Sequence, residues 1–210
     1  MAADRLRVAV LLSGTGRTLD NLLACRERGE LRIDIPFVIS SRRGARGLAI
    51  AREAGIEAHV VHRRDYPTPA ARSARIAELT GEYGVDLMLL AGFLLQLEIL
   101  PAWEGRMMNI HPSLLPLFGG HGFFGRRVHE AVLASGVKVT GCTVHFVNAD
   151  YDAGPIILQR CLPVEEADTP ETLGARVFTA ECDAYPEAIR LFAAGRLRVE
   201  GNRVRVLSPS

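Results

Sequence analysis

The sequence has no surplus of either charge. Its 210 residues carry 25 Lys and Arg against 24 Asp and Glu, a formal net charge of +1. That balance removes any general electrostatic reason to expect nucleic acid or an anionic membrane as partner. An anionic ligand must therefore be held by a local site. Long apolar runs are missing too, since nothing approaches the roughly 18 to 20 residues of a membrane span. The first residues lead straight into a strand-like segment, without the layout of a signal peptide. Cysteine is scarce: Cys25, Cys142, Cys161 and Cys182 stand far apart, with no Cys-x-x-Cys and no metal-ligand spacing. They read as thiols in a reducing compartment, so a disulfide framework is excluded, no metal is expected, and the cytoplasm is the expected location. Repeats, low-complexity tracts and linkers are absent as well. What remains is a chain 48% hydrophobic and 23% charged, the make-up of a globular domain. At this length it can bury about 70% of its unfolded surface.

Strand and helix signals alternate through the first two thirds. Leu6 to Leu12 is a continuous apolar run, and Thr18 to Arg28 has helical spacing through Leu19, Leu22, Leu23 and Cys25. Ile33 to Ser40 reads as a second strand, followed by a helix through Leu48, Ile50 and Ala51 that stops at Gly55. Ala58 to Val61 is a third strand, and Pro69 to Tyr83 another helix. Val85 to Ala91 is the most hydrophobic stretch and predicts a central strand buried on both faces. Met107 to Ile110 is the next strand. This order predicts βαβ units: a Rossmann-like α/β fold with a mostly parallel twisted sheet and helices on both faces. Later the pattern changes. A helix over Arg127 to Ala134 precedes strands over Gly141 to Val147 and Pro155 to Val164, the last pairing antiparallel and closing the sheet edge. A long helix starts at Thr169-Pro170, with Thr169 as N-cap, and runs to about Gly195, with Pro186 bending or splitting it. Arg196 to Leu207 reads as a hairpin about Gly201-Asn202. One domain over residues 1–210 is expected, with halves near 1–105 and 106–210.

Three segments carry chemistry. In Asn109-Ile110-His111-Pro112-Ser113-Leu114-Leu115-Pro116, Asn109 and His111 sit two apart at a strand end and so face one side. An amide donor beside a titratable ring can hold an oxyanion and move a proton. The loop Gly14-Thr15-Gly16-Arg17-Thr18 joins the first strand to the first helix, where free N–H groups favour an anion. It is neither G-x-G-x-x-G, because Leu19 replaces the last glycine, nor a Walker loop. Asn148-Ala149-Asp150-Tyr151-Asp152-Ala153-Gly154-Pro155 is an acidic loop whose Asp152 can face His111, raise its pKa and orient it.

On these residues the chain resembles the phosphoribosylglycinamide formyltransferases, folate-dependent enzymes of purine biosynthesis. The resemblance runs through the Ser-Gly-x-Gly loop, Leu90-Ala91-Gly92-Phe93, Asn109 to Pro116, Gly141-Cys142-Thr143-Val144-His145-Phe146-Val147 and Asp152 to Pro155. It implies transfer of formyl from 10-formyltetrahydrofolate to the amine of glycinamide ribonucleotide. Asn109 and protonated His111 would hold the oxyanion, with Asp152 assisting. It further implies that Gly14, Thr15, Gly16, Arg17 and Thr18 bind the substrate phosphate, and that Glu181 accepts a ribose hydroxyl. Arg17 and Thr18 depart from the family's usual Gly-Ser-Asn or Gly-Thr-Asn. The folate would be lined by Phe93, Leu94, Leu95, Gln96 and Leu97, by Asn109, and by Asn148, Ala149, Asp150, Tyr151 and Asp152. Where the family has a basic residue this chain has Pro69, and Arg72 is the substitute. Partners are then small molecules, with a monomer or homodimer as the working unit.

Leu117 to Gly125, rich in glycine and aromatics, reads as a lid. His145 reads as structural. A sugar-nucleotide N-formyltransferase would use the same trio, though such relatives usually carry a C-terminal extension, and deformylases an N-terminal regulatory domain. A nucleotide-binding oxidoreductase is the remote rival. It requires a third loop glycine and an acidic residue after the second strand, where Ser40-Ser41-Arg42-Arg43 stands.

Overall fold

Residues 5–209 are described by the computed structural model of the chain. The single domain expected over 1–210 thus includes residues 1–4 and 210, which lie outside them. The chain forms two compact units, Met1–Met108 and Asn109–Ser210.

In the first unit, β1 (Leu6–Leu12), β2 (Ile33–Asp34), β3 (Phe37–Ser40), β4 (Glu57–Val60) and β5 (Leu87–Ala91) alternate with three helices: α1 (Arg17–Glu27), α2 (Arg46–Glu53) and α3 (Pro69–Glu82). The strand order is β4-β3-β1-β5, with β2 also beside β1, and every pair is parallel. β1 lies between neighbours, and Val8 through Leu12 have no exposure at all. β5 was expected to be the strand buried on both faces, but its last two residues are partly exposed. The second strand expected over Ile33 to Ser40 is in fact two. Pro36 lacks an N–H to extend a ladder, so pairing stops after Asp34 and resumes at Phe37. The helix starts follow their caps: Thr68 accepts from the Ala71 N–H at 3.1 Å, with Pro69 in the first turn.

The second unit contains β6 (Met107–His111, most of it in this unit), α4 (Arg126–Ser135), β7 (Val139–Phe146), β8 (Ile156–Pro163), α5 (Pro170–Ala193), β9 (Leu197–Glu200) and β10 (Arg203–Val206). Its strand order is β6-β7-β8-β10-β9. β7 and β8 pair antiparallel, as do β9 and β10. β8 does not close the edge as expected, because Arg203 of β10 pairs parallel with Ile156 and β9 lies beyond. The hairpin forms at Gly201, with φ +60°, and Asn202.

α5 also differs from expectation. It continues as one 24-residue helix through Pro186. A proline in mid-helix costs about 3 kcal/mol. Against that, α5 buries Leu173, Val177, Ala184, Tyr185, Ala188 and Ile189, and each large apolar side chain buried contributes about 1.5–3 kcal/mol. Packing outweighs propensity. The Thr169–Thr172 capping box and Pro170 fix its start as expected.

Candidate active site

β6 ends with its side chains alternating, which brings Asn109 and His111 to one side. Asp152 meets both. The Asn109 Nδ2 donates to Asp152 Oδ1 at 3.3 Å, and His111 Nδ1 stands 3.4 Å from Asp152 Oδ2. Asp152 occupies the left-handed region at φ +54°, a conformation aspartate tolerates better than most residues. The tight loop that carries it is closed by the Phe146 N–H donating to the Pro155 carbonyl at 2.9 Å. Beside it, a hollow of about 360 Å³ lies among Leu115, Pro116, Asp152, Gly154 and Arg203.

Three further groups complete the cluster, and sequence reasoning assigned none of them to it. His145 was expected to be structural, yet its Nε2 lies 3.1 Å from Asn109 Nδ2 and its Nδ1 2.8 Å from the Phe146 carbonyl. A carbonyl only accepts, so Nδ1 carries a proton. The pairing of β7 with β8 shifts register between Val144 and His145, where Ile157 of β8 is passed over. From the segment after Pro116, the Phe118 carbonyl meets His111 Nε2 at 2.9 Å, and the Gly120 N–H donates to Asp152 Oδ2 at 2.9 Å. Phe118 has φ +55°, a strained state for a bulky residue. Gly119 has no side chain because a Cβ there would stand 2.4 Å from Leu115 Cδ2 and 3.2 Å from Asp152 Cβ. The one available signal was strand alternation, which puts Thr143 and His145 two apart on β7. Thr143 donates to the Ser113 carbonyl and accepts from the Leu115 N–H, so it holds the turn that follows His111.

The charge states partly reverse expectation. Burial pulls the His111 pKa below its usual value, and the nearby Asp152 charge and the Phe118 carbonyl do not restore it. The resting ring is therefore neutral at pH 7, where a cation was expected. Burial raises the Asp152 carboxyl, but His145, His111 and the Gly120 N–H together outweigh it and hold it below the usual carboxylate range. His129, on α4, is also buried and lowered by burial, then by His111. Both histidines bind fewer protons when folded, so their contribution to stability is complete above about pH 6.5 and is lost as pH falls below it. Thermal unfolding is expected to shift downward between pH 7 and 5, and a His129→Gln variant to flatten that slope. An unchanged slope would remove His129 from the account.

In the first unit, α1 has Gly16 (φ +78°) as its N-cap, with no side-chain cap hydrogen bond. Gly14, Thr15 and Arg17 are exposed, Thr18 partly so, and Gly16 is buried against α2. A Cβ on Gly16 would come within 2.6 Å of Gly47 Cα. Gly16→Ala is thus expected to displace this loop and raise KM for a phosphate-bearing substrate at least about tenfold, the effect of some 1.4 kcal/mol. Titration of that substrate checks it, an unchanged KM being the contrary result.

Phe93 to Leu97 follow β5, with Leu94 and Gln96 exposed. Arg72, expected to touch the folate, is buried instead. Its Nε donates to the Gln96 carbonyl, and its Nη1 to the Tyr66 and Pro67 carbonyls. A guanidinium so engaged anchors the 93–97 segment at the Gln96 carbonyl. In the second unit, Tyr151 packs edge-on against His121, ring centroids 5.6 Å apart, and Asn148 accepts from the Asp150 N–H. Glu181 lies half-buried on α5, where its charge helps burial push the Cys142 thiol up to about 12. No group of three or more His, Cys, Asp and Glu among the described residues is placed to hold a metal, and no helix among them is long and apolar enough to cross a membrane.

With this geometry in place, comparison with known proteins gives the class. The formyl transferase family model matches residues 6–189. The chain belongs to the formyl transferase family. It is similar to a glycinamide ribonucleotide transformylase from Symbiobacterium toebii, with 46% identity, a TM-score of 0.91, and coverage of 98% of this chain and 95% of that one. A phosphoribosylglycinamide formyltransferase from Coxiella burnetii is 39% identical, with a TM-score of 0.88 and coverage of 96% and 93%. The trifunctional purine biosynthetic protein adenosine-3 of Bos taurus is 44% identical over 94% of this chain. The chain spans only 19% of that relative's length.

Proposed function

We propose that this chain transfers the formyl group of 10-formyltetrahydrofolate to the amine of glycinamide ribonucleotide, a step of purine biosynthesis. The observation that carries the reading is the convergence of Asn109 and His111 on Asp152, each within about 3.5 Å of it, in a chain of this family.

The chemistry starts from neutral His111 with its proton on Nε2, where the Phe118 carbonyl accepts it. Substrate binding replaces that carbonyl with the formyl oxygen. As the amine attacks the formyl carbon, negative charge builds on this oxygen. It is held by the His111 Nε2–H and by the Asn109 amide, which gives up its longer bond to Asp152 and keeps the one to His145. The proton leaving the amine passes through Asp152 or a water beside it to His111 Nδ1, making the ring a cation when the oxyanion needs one. The ring then returns its Nε2 proton to the departing nitrogen of the folate as the carbon–nitrogen bond breaks. One proton is lost by the amine and one is gained by the leaving group, and His111 ends neutral with its proton on Nδ1.

In this reading Gly14 to Thr18 hold the phosphate and Glu181 a ribose hydroxyl. Phe93 to Leu97 and Asn148 to Asp152 line the folate mainly through backbone groups. Arg72 supports the 93–97 segment without touching the ligand. The glycine loop at a helix start and the part-apolar 93–97 stretch suit an anion and a ring respectively. The protein works in the cytoplasm as a monomer or homodimer, with small molecules as its partners. Expression in a purine auxotroph lacking this transformylase is expected to restore growth without added purine, and His111→Ala to fail. Soluble wild-type protein that does not restore growth would overturn the assignment.

A further inference from the structure

We propose that Ser13 is a positioning residue that couples the two ligand loops of the first unit, so that filling one tightens binding at the other. The inference rests on the formyl-transfer reading above, in which Gly14 to Thr18 take the phosphate and Phe93 to Leu97 the folate.

Ser13 follows β1 directly, one residue before the glycine loop, and is 2% exposed. Its Oγ accepts two hydrogen bonds. One comes from the Leu94 N–H at 2.9 Å, the other from the Ser41 hydroxyl at 2.5 Å. A hydroxyl has two lone pairs, so its acceptor capacity is used up. Ser41 follows β3 directly, and its own N–H donates to the Leu12 carbonyl at 3.1 Å. The carboxyl ends of β1 and β3 and the loop after β5 therefore meet at one oxygen atom. Ligands of open α/β sheets bind at these ends.

The other side-chain anchors of the 92–98 segment come from α3. Arg72 donates to the Gln96 carbonyl and Ser73 accepts from the Glu98 N–H. Neither touches the glycine loop. Only the Ser13–Leu94 bond, among the described side-chain hydrogen bonds, ties the 93–97 segment to the residue that starts the phosphate loop. A phosphate held by Gly14 to Thr18 fixes Ser13, and fixing Ser13 fixes the Leu94 N–H. The second ligand then finds its loop already ordered and loses less entropy on binding. By reciprocity the folate does the same for the phosphate substrate.

The test is calorimetric titration of the whole chain with glycinamide ribonucleotide and with tetrahydrofolate, which lacks the formyl group and cannot turn over. Each is titrated alone and with the other saturating. In the wild type each ligand is expected to bind roughly fivefold or more tightly when its partner is present, within the usual range of coupling. In Ser13→Ala both ligands still bind, but the enhancement falls below about twofold. Ser13→Cys, near in size and a weak acceptor, serves if the alanine variant does not fold, with the same expected loss. Ser41→Ala keeps the Leu94 bond and retains the enhancement. A residue that only stabilised the fold would lower the melting temperature and leave the coupling factor alone. Independent binding in the wild type, or wild-type coupling in the folded Ser13 variants, overturns the proposal while the transfer reading stands. Failure of both ligands to bind the wild type overturns that reading as well.

Discussion

Asn109→Ala and His111→Ala are each expected to lower kcat for formyl transfer by at least about 10²-fold while the protein still unfolds cooperatively. The size follows from what each side chain supplies. Removing one placed oxyanion donor costs roughly 10²- to 10³-fold in acyl transfers. His111 also carries the proton between attacking and leaving nitrogens, so its loss is expected to be the larger. Neither change is silent for stability. Removing His111 leaves the Phe118 carbonyl short of a partner, at about 1–3 kcal/mol at most. A melting curve must accompany the rates, and activity should be compared in the folded fraction. The double variant is expected to be little worse than His111→Ala alone, because residues that act as a unit do not add. Multiplicative losses would show that the two side chains act in separate steps.

Gly141→Ala and Gly154→Ala are expected to cost about 3 kcal/mol or more, lowering the melting temperature by roughly 6–12 °C or leaving the chain insoluble. A Cβ on Gly141 would stand 1.8 Å from the Arg160 carbonyl oxygen and 2.9 Å from Cys161 Cα. Both belong to the backbone of β8, and β7 cannot move away without breaking its ladder. On Gly154 the Cβ would lie 1.8 Å from the Phe146 oxygen, within the closure that places Asp152. Gly154→Ala therefore also predicts lost activity in whatever protein folds. Neither glycine has a φ in the left-handed region, so space and not backbone conformation demands it. Melting within a degree or two of the wild type would show that the two strands can separate locally.

How much of this was legible in the sequence depends on the range of each interaction. β1, α3, the α5 cap and the β9–β10 hairpin are set by neighbours within a few residues, and their residues announced them. Asn109 and His111 shared a face because strand alternation requires it. Other features depended on contacts distant in sequence. The break at Pro36 was visible, but the apolar run around it masked it. Pro186 was read by local propensity, which the buried face of α5 outweighs. Arg72 was read as the family's basic folate contact because its three carbonyl partners, at Tyr66, Pro67 and Gln96, converge only on folding. The charge of His111 was judged from Asp152 alone, whereas burial, invisible in a local motif, sets the direction of its shift. His145 entered the cluster from β7, whose alternation puts it on the face of Thr143, but its partners Asn109 and the Phe146 carbonyl converge only on folding.

The central claim is that the Asn109–His111–Asp152 cluster moves formyl from folate to the amine of glycinamide ribonucleotide. The direct measurement supplies purified protein with 10-formyltetrahydrofolate and an equimolar mixture of glycinamide ribonucleotide and an amino-sugar nucleotide, with products followed by mass spectrometry. The prediction is formylglycinamide ribonucleotide in step with tetrahydrofolate, an unmodified sugar, and no product with His111→Ala. A formylated sugar, or formate released with both amines untouched, would contradict it.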